Sequence, residues 1–194
     1  MDINTQNSTV LQVIKNNRLF EILFDRVNQN NEYLDPTLLK ELIGYVDWYI
    51  SKMNLTTTQV EEFYNDYIKI YNKDLKKFTK TGLFPLEIDA NLQPPERVAY
   101  DIILLISTIL TKHRFRIMQL VQSKTDTIDK ALFIGCGPGL EMNLCKDKIK
   151  EIVAYDLSLN PLLVDSFKDI FANIFGEVLA EGFESFFMHA FKVI

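Results

Sequence analysis

The sequence predicts a mixed α/β protein, a helical N-terminal region followed by a partial parallel sheet. Three observations predict it. Apolar residues recur at helical spacing through the first 120 or so positions. Short apolar runs bounded by glycine or aspartate appear after that. Those runs alternate with helix-length segments, which is the order of parallel strands joined by crossovers.

The elements follow in chain order. Ser8 and Thr9 are cap residues for a first helix with Val10, Val13, Ile14, Phe20, Leu23, Phe24 and Val27 on one side, ending in the polar run Asn28 to Asn31. Asp35-Pro36-Thr37 is a second start signal. It leads into the face Leu38, Leu39, Leu42, Ile43, Val46, Tyr49 and Ile50. Thr58 with Glu61 has the spacing of a capping box, and the helix it opens runs to Gly82, a C-terminal cap. Pro85, Pro94 and Pro95 mark a connector. A fourth helix is expected from near Pro95 to about Gln122, with Val98, Ile102, Leu105, Ile106, Ile109, Leu110, Ile117 and Leu120 as its buried stripe.

Lys130 to Ile134 then reads as a short buried strand, Leu140 to Cys145 as a short helix and Glu151 to Tyr155 as a second strand. Asn160-Pro161 opens a further helix. The tail from Gly176 to Ile194 fits either a third strand or a helix bearing Phe183, Phe186 and Phe187. The expected division is a helical region over 1–92 and a sheet-bearing portion over 93–194.

Composition narrows the function. The chain is 47% hydrophobic and 24% charged, which excludes a disordered or fibrous protein. A net charge of −5 disfavours nucleic acid as a partner, since that binding rests on clustered cations. The longest apolar stretch, Ile102 to Leu110, falls far short of the roughly 20 residues that span a bilayer. The start MDINTQNSTV lacks a basic, apolar leader pattern, and two cysteines fit a reducing compartment. A cytoplasmic protein with no membrane partner is expected. Cys136 and Cys145 have no paired His or Cys, so no metal site is expected.

The informative passage is Gly135-Cys136-Gly137-Pro138-Gly139 after the first strand. Gly135 permits a sharp turn. Gly137 lets the backbone approach a ligand, and Gly139 lets the next helix pack closely. The helix that follows starts with unpaired N–H groups. No Gly-Lys-Ser/Thr ending is present, so this is not a phosphate-gripping P-loop. Asp156 stands 21 residues beyond Gly135, at the end of the second strand. A carboxylate there suits a ribose diol. The structural alternative is a tight turn and a capping aspartate.

At these residues the chain resembles the class I S-adenosylmethionine-dependent methyltransferases. Ala131 to Leu140 is similar to their first motif and Val153 to Ser158 to their second. The resemblance implies a Rossmann-like fold, S-adenosylmethionine as cofactor and a small-molecule methyl acceptor. It also implies cofactor-binding roles for Gly135, Cys136, Gly137, Gly139 and Asp156, with Leu157 beside the adenine. It identifies no catalytic residue. Phe133 stands where that family carries an acid two residues before the first glycine. Phe133-Ile-Gly-Cys-Gly-Pro138 also resembles the nicotianamine synthase group, which transfers the aminobutanoyl arm of the same cofactor.

The family's sheet has seven strands, and the residues after Asp156 supply at most a helix and one strand more. The expectation is the ribose-binding half of a site, in a fragment, in a natural truncation serving as a non-catalytic binding module, or in a chain whose sheet a partner completes over the exposed first-strand edge; exposed rings of the aromatic tail would invite homodimerisation or aggregation. Elsewhere, the basic cluster Lys112-His113-Arg114-Phe115-Arg116 is a candidate to bind a substrate carboxylate or phosphate, though its plainer reading is a solvated helix face. His113 is of a type suited to a general base but, with no located partner, is read as structural, and His189 has no neighbours that suggest a metal site. Tyr100 and Asp101, on the fourth helix, are both candidates to touch donor or acceptor, with core packing the plainer expectation for Tyr100.

Overall fold

The computed structural model describes residues 8–28, 35–83, 94–124 and 127–156. Leu157, the helix expected from Asn160, His189 and the aromatic tail lie outside the described residues. The chain divides into two compact units, the first ending at Lys124 and the second starting at Thr125.

The first unit is helical. Its elements are α1 (Thr9–Asn16), α2 (Arg18–Asn28), α3 (Pro36–Lys52), α4 (Thr57–Thr81), α5 (Pro94–Leu110) and α6 (Lys112–Lys124). The single first helix expected is two. The Asn17 side chain accepts from the Leu19 and Phe20 amides at 3.0 and 3.4 Å, capping α2 and breaking the run. Upstream, Ser8 Oγ accepts from the Leu11 N–H, and Asp47 of α3 accepts from the Val10 N–H at 2.8 Å. Asp35 caps α3 through the Thr37 and Leu38 amides, as its Asp-Pro-Thr signature predicts. That helix ends in a Schellman motif. Asn54 takes the left-handed conformation (φ 51°), and the Leu55 N–H reaches the Ile50 carbonyl at 3.0 Å.

The capping box of α4 sits two residues earlier than expected. Thr56 Oγ1 accepts from the Gln59 N–H, and Gln59 Oε1 accepts from the Thr56 N–H. Gly82 closes the helix with φ 68°, as expected. The expected fourth helix is also two. The hydroxyls of Ser107, Thr108 and Thr111 donate back to carbonyls three and four residues earlier, which loosens the ladder, and the helix breaks at Thr111. The break rotates the buried face. Phe115 and Met118 are buried on α6, whereas Ile117 and Leu120, expected in the stripe, are exposed.

α5 is the centre of this unit. Ile102, Leu105, Ile106 and Ile109 are fully buried at i, i+3, i+4, i+7 spacing. They pack among α2, α3, α4 and α6. This is why the division falls after Lys124 and not at the 92/93 boundary expected from the proline-rich connector: α5 belongs to the helical core. Val10, Val13, Phe20, Leu38, Leu42, Val46, Tyr49 and Val60 complete that core.

In the described part of the second unit, β1 (Ile128–Ile134) pairs in parallel with β2 (Ile149–Tyr155). Between them run α7 (Leu140–Cys145) and one 3₁₀ turn, Lys146–Lys148. The register sets Ala131 against Ile152 and Phe133 against Ala154. Ile152 and Ala154 are buried, and so are Leu140, Met142 and Cys145 of α7. β1 was expected to be buried, but Ile128, Leu132 and Ile134 are exposed. They share one side of the strand by its two-residue period, and among the described residues nothing covers that side. Among the described residues the architecture is thus mixed α/β, mostly helical, with a two-stranded parallel sheet. No described helix is long and apolar enough to cross a membrane.

Candidate functional site

The site is the turn that follows β1 together with the residue that follows β2. At Gly135 the chain leaves the strand with φ 67°, a conformation that costs any residue with a Cβ. Open space surrounds the position of that missing Cβ, so the backbone angle alone demands glycine here. Gly137 (φ 50°) and Gly139 (φ 76°) are left-handed too. Gly139 donates its N–H to the Cys136 carbonyl at 2.9 Å, closing a four-residue turn. Its own carbonyl accepts from Asn143 at 3.0 Å, which starts α7. Three glycines at alternate positions are therefore a conformational requirement. Each reverses the handedness of the path between a strand and a helix.

Parallel pairing then fixes what stands beside the turn. The last paired residues are Ile134 and Tyr155, so Gly135 and Asp156 are the next residues out of the two strands. Asp156 is half-buried, and its Oδ2 accepts from the Gly137 N–H at 2.8 Å. A carboxylate bonded to a backbone amide is a strong, charge-assisted contact. It anchors the loop at its middle residue and holds the carboxylate in one orientation. Cys136 is buried in the turn with Gly137, Pro138, Gly139 and Leu140.

The structure therefore brings together Gly135, Cys136, Gly137, Gly139 and Asp156, five of the six residues singled out by sequence; Leu157 lies outside the described residues. The other candidates fall in the helical unit. Lys112, His113 and Arg116 are exposed on α6, while Phe115 is buried beneath them. Tyr100, expected in the core, is 44% exposed. Asp101 is the buried member of the pair, at 0% exposure. Its two oxygens accept from Tyr49 Oη at 2.6 Å and Arg97 Nε at 2.9 Å. These partners make it a structural residue of the helical core and not a ligand contact. The i, i+4 spacing of Arg97 and Asp101 was visible in the sequence. The Tyr49 contact, 52 residues away, was not.

Comparison with known proteins finds no matching family model, no matching curated protein and no matching solved structure.

Proposed function

We propose that this protein is an S-adenosylmethionine-dependent methyltransferase acting on a small molecule, with its adenosyl site at 135–139 and Asp156. The observation that carries the reading is the 2.8 Å bond between the Gly137 amide and Asp156. Glycine turn and acid, separate in sequence, meet at the same ends of two parallel strands, where open α/β sheets take nucleotide-like ligands. The residues fit the cofactor in kind. Gly135 presents backbone without a side chain, Gly137 and Gly139 keep the turn compact, and Asp156 presents a fixed carboxylate suited to vicinal hydroxyls. When bound, the cofactor supplies a sulfonium already reactive toward nucleophiles, so the protein's share is binding and alignment.

Titration calorimetry with S-adenosylmethionine and S-adenosylhomocysteine tests this. Binding is expected to weaken by at least about ten-fold in Asp156→Ala, since hydrogen bonds to a charged group are worth roughly 1.5–3 kcal/mol each. Asp156→Asn keeps an oxygen for the Gly137 amide but replaces the second acceptor with a donor. It should keep the fold and still lose affinity. Were Asp156 only a staple for the turn, Asp156→Asn would bind as the parent does. S-adenosylhomocysteine as product supports methyl transfer, whereas methylthioadenosine would indicate aminobutanoyl transfer. A folded sample that binds neither ligand would make the chain a non-catalytic module.

A further inference from the structure

α4 outlasts the core it starts in. Its buried residues are Val60 and Tyr64, both in its first third. Beyond them Tyr71 and Leu75 continue the same side of the helix yet are 48% and 42% exposed, and Ile70, 60% exposed, lies about 100° round the helix at the border of the opposite side. The opposite side changes just as sharply. Residues 69–80 hold five lysines and a single acid, Asp74, in a chain whose net charge is −5. Lys69, Lys73, Lys76 and Lys80 repeat at steps of four, three and four, so they form one stripe roughly 16 Å long, with Lys77 at its border. All five are exposed. Lys69 pairs with Asp66 at 2.8 Å, while Lys73, Lys76, Lys77 and Lys80 make no ion pair among the described residues.

Like charges one turn apart repel, and exposed apolar side chains gain nothing from water. One kind of partner relieves both. We infer that the second half of α4 is a docking element for an anionic lipid surface. Tyr71 and Leu75 meet the boundary between headgroups and acyl chains there, and the lysines meet phosphates. A basic amphipathic helix with four or more lysines is the pattern that binds such surfaces without crossing them. Lysine suits this task, because its four-carbon stem lets the ammonium snorkel around the helix to the headgroups. A nucleic acid strand would engage the stripe but leave Tyr71 and Leu75 in water. The inference is independent of the proposed adenosyl site.

Vesicle flotation with the full chain tests it. The protein is expected to float with phosphatidylcholine vesicles that contain phosphatidylserine, not with phosphatidylcholine alone, and to be released as salt rises. The triple variant K73Q/K76Q/K80Q should bind roughly a hundred-fold more weakly, at about five-fold per lysine. K15Q/K40Q/K52Q removes the same charge from exposed positions elsewhere in the helical unit and should bind as the parent does. Y71S/L75S should weaken binding at constant charge. Circular dichroism establishes that each variant is folded. Failure of the folded parent to float with the anionic vesicles overturns the inference, as does equal loss in the two lysine variants. Tighter stripe-dependent binding to a short single-stranded RNA than to the vesicles would assign the stripe to nucleic acid and overturn it too.

Discussion

Single residues show how far this fold depends on a few polar contacts. Asp101 carries charge in the middle of the helical core and is tolerated because Arg97 and Tyr49 both donate to it. Removing one partner of a buried pair leaves the other uncompensated, so Asp101→Ala is expected to cost about 3–5 kcal/mol in a denaturant titration. Tyr49→Phe removes one hydrogen bond to a charged group and should cost less, about 1.5–3 kcal/mol. A small loss in Asp101→Ala would mean that the site relaxes to admit water. Tyr64 makes a second case. Its ring meets Phe20 edge-on at 4.4 Å, between α4 and α2. Burial, with Tyr67 nearby, raises its hydroxyl pKa above the ordinary 10.0, against an opposing pull from Arg114. The unfolded chain then ionises first as pH rises. Stability is therefore expected to fall above about pH 10, and Tyr64→Phe should flatten that decline in pH-dependent melts.

At the scale of elements, helix ends decided where the sequence reading needed revision. Three threonines, Thr56, Thr57 and Thr58, stand at the start of α4, and both Thr56 with Gln59 and Thr58 with Glu61 have capping-box spacing. Local chemistry does not choose between them; the position of Val60 and Tyr64 against the core does. Thr56→Ala should therefore destabilise by about 1 kcal/mol, and Thr58→Ala by much less. Equal effects in thermal melts would restore the later register. The breaks at Asn17 and Thr111 have the same origin. A continuous apolar pattern ran through both, yet a side-chain oxygen offered the backbone a local alternative. In the sheet, the Lys130–Glu151 and Lys150–Asp129 pairs at 2.7 and 2.6 Å join the two strands. As exposed ion pairs they mark the register more than they stabilise it.

The whole molecule is two units of different character. The helical unit has its own continuous core, centred on α5, so a chain stopped after Lys124 is expected to retain helical circular dichroism and a cooperative melt. A gradual, non-cooperative melt would show that the core needs the rest of the chain. Much of the molecule was legible beforehand. Helical and strand periods, the Asp35 and Gly82 caps, and the glycine turn before α7 are local properties, set by side-chain spacing and by which residues accept positive φ. The partnership of Asp156 with the turn was legible as well, because parallel strands separated by one crossover bring their ends together. Other features were settled only by tertiary packing. These are the membership of α5 in the helical core, the burial of Asp101 and not its neighbour Tyr100, and the rotated face of α6. Each depends on which surfaces meet across long stretches of chain. A periodic pattern states that a face is apolar but not what it will be buried against.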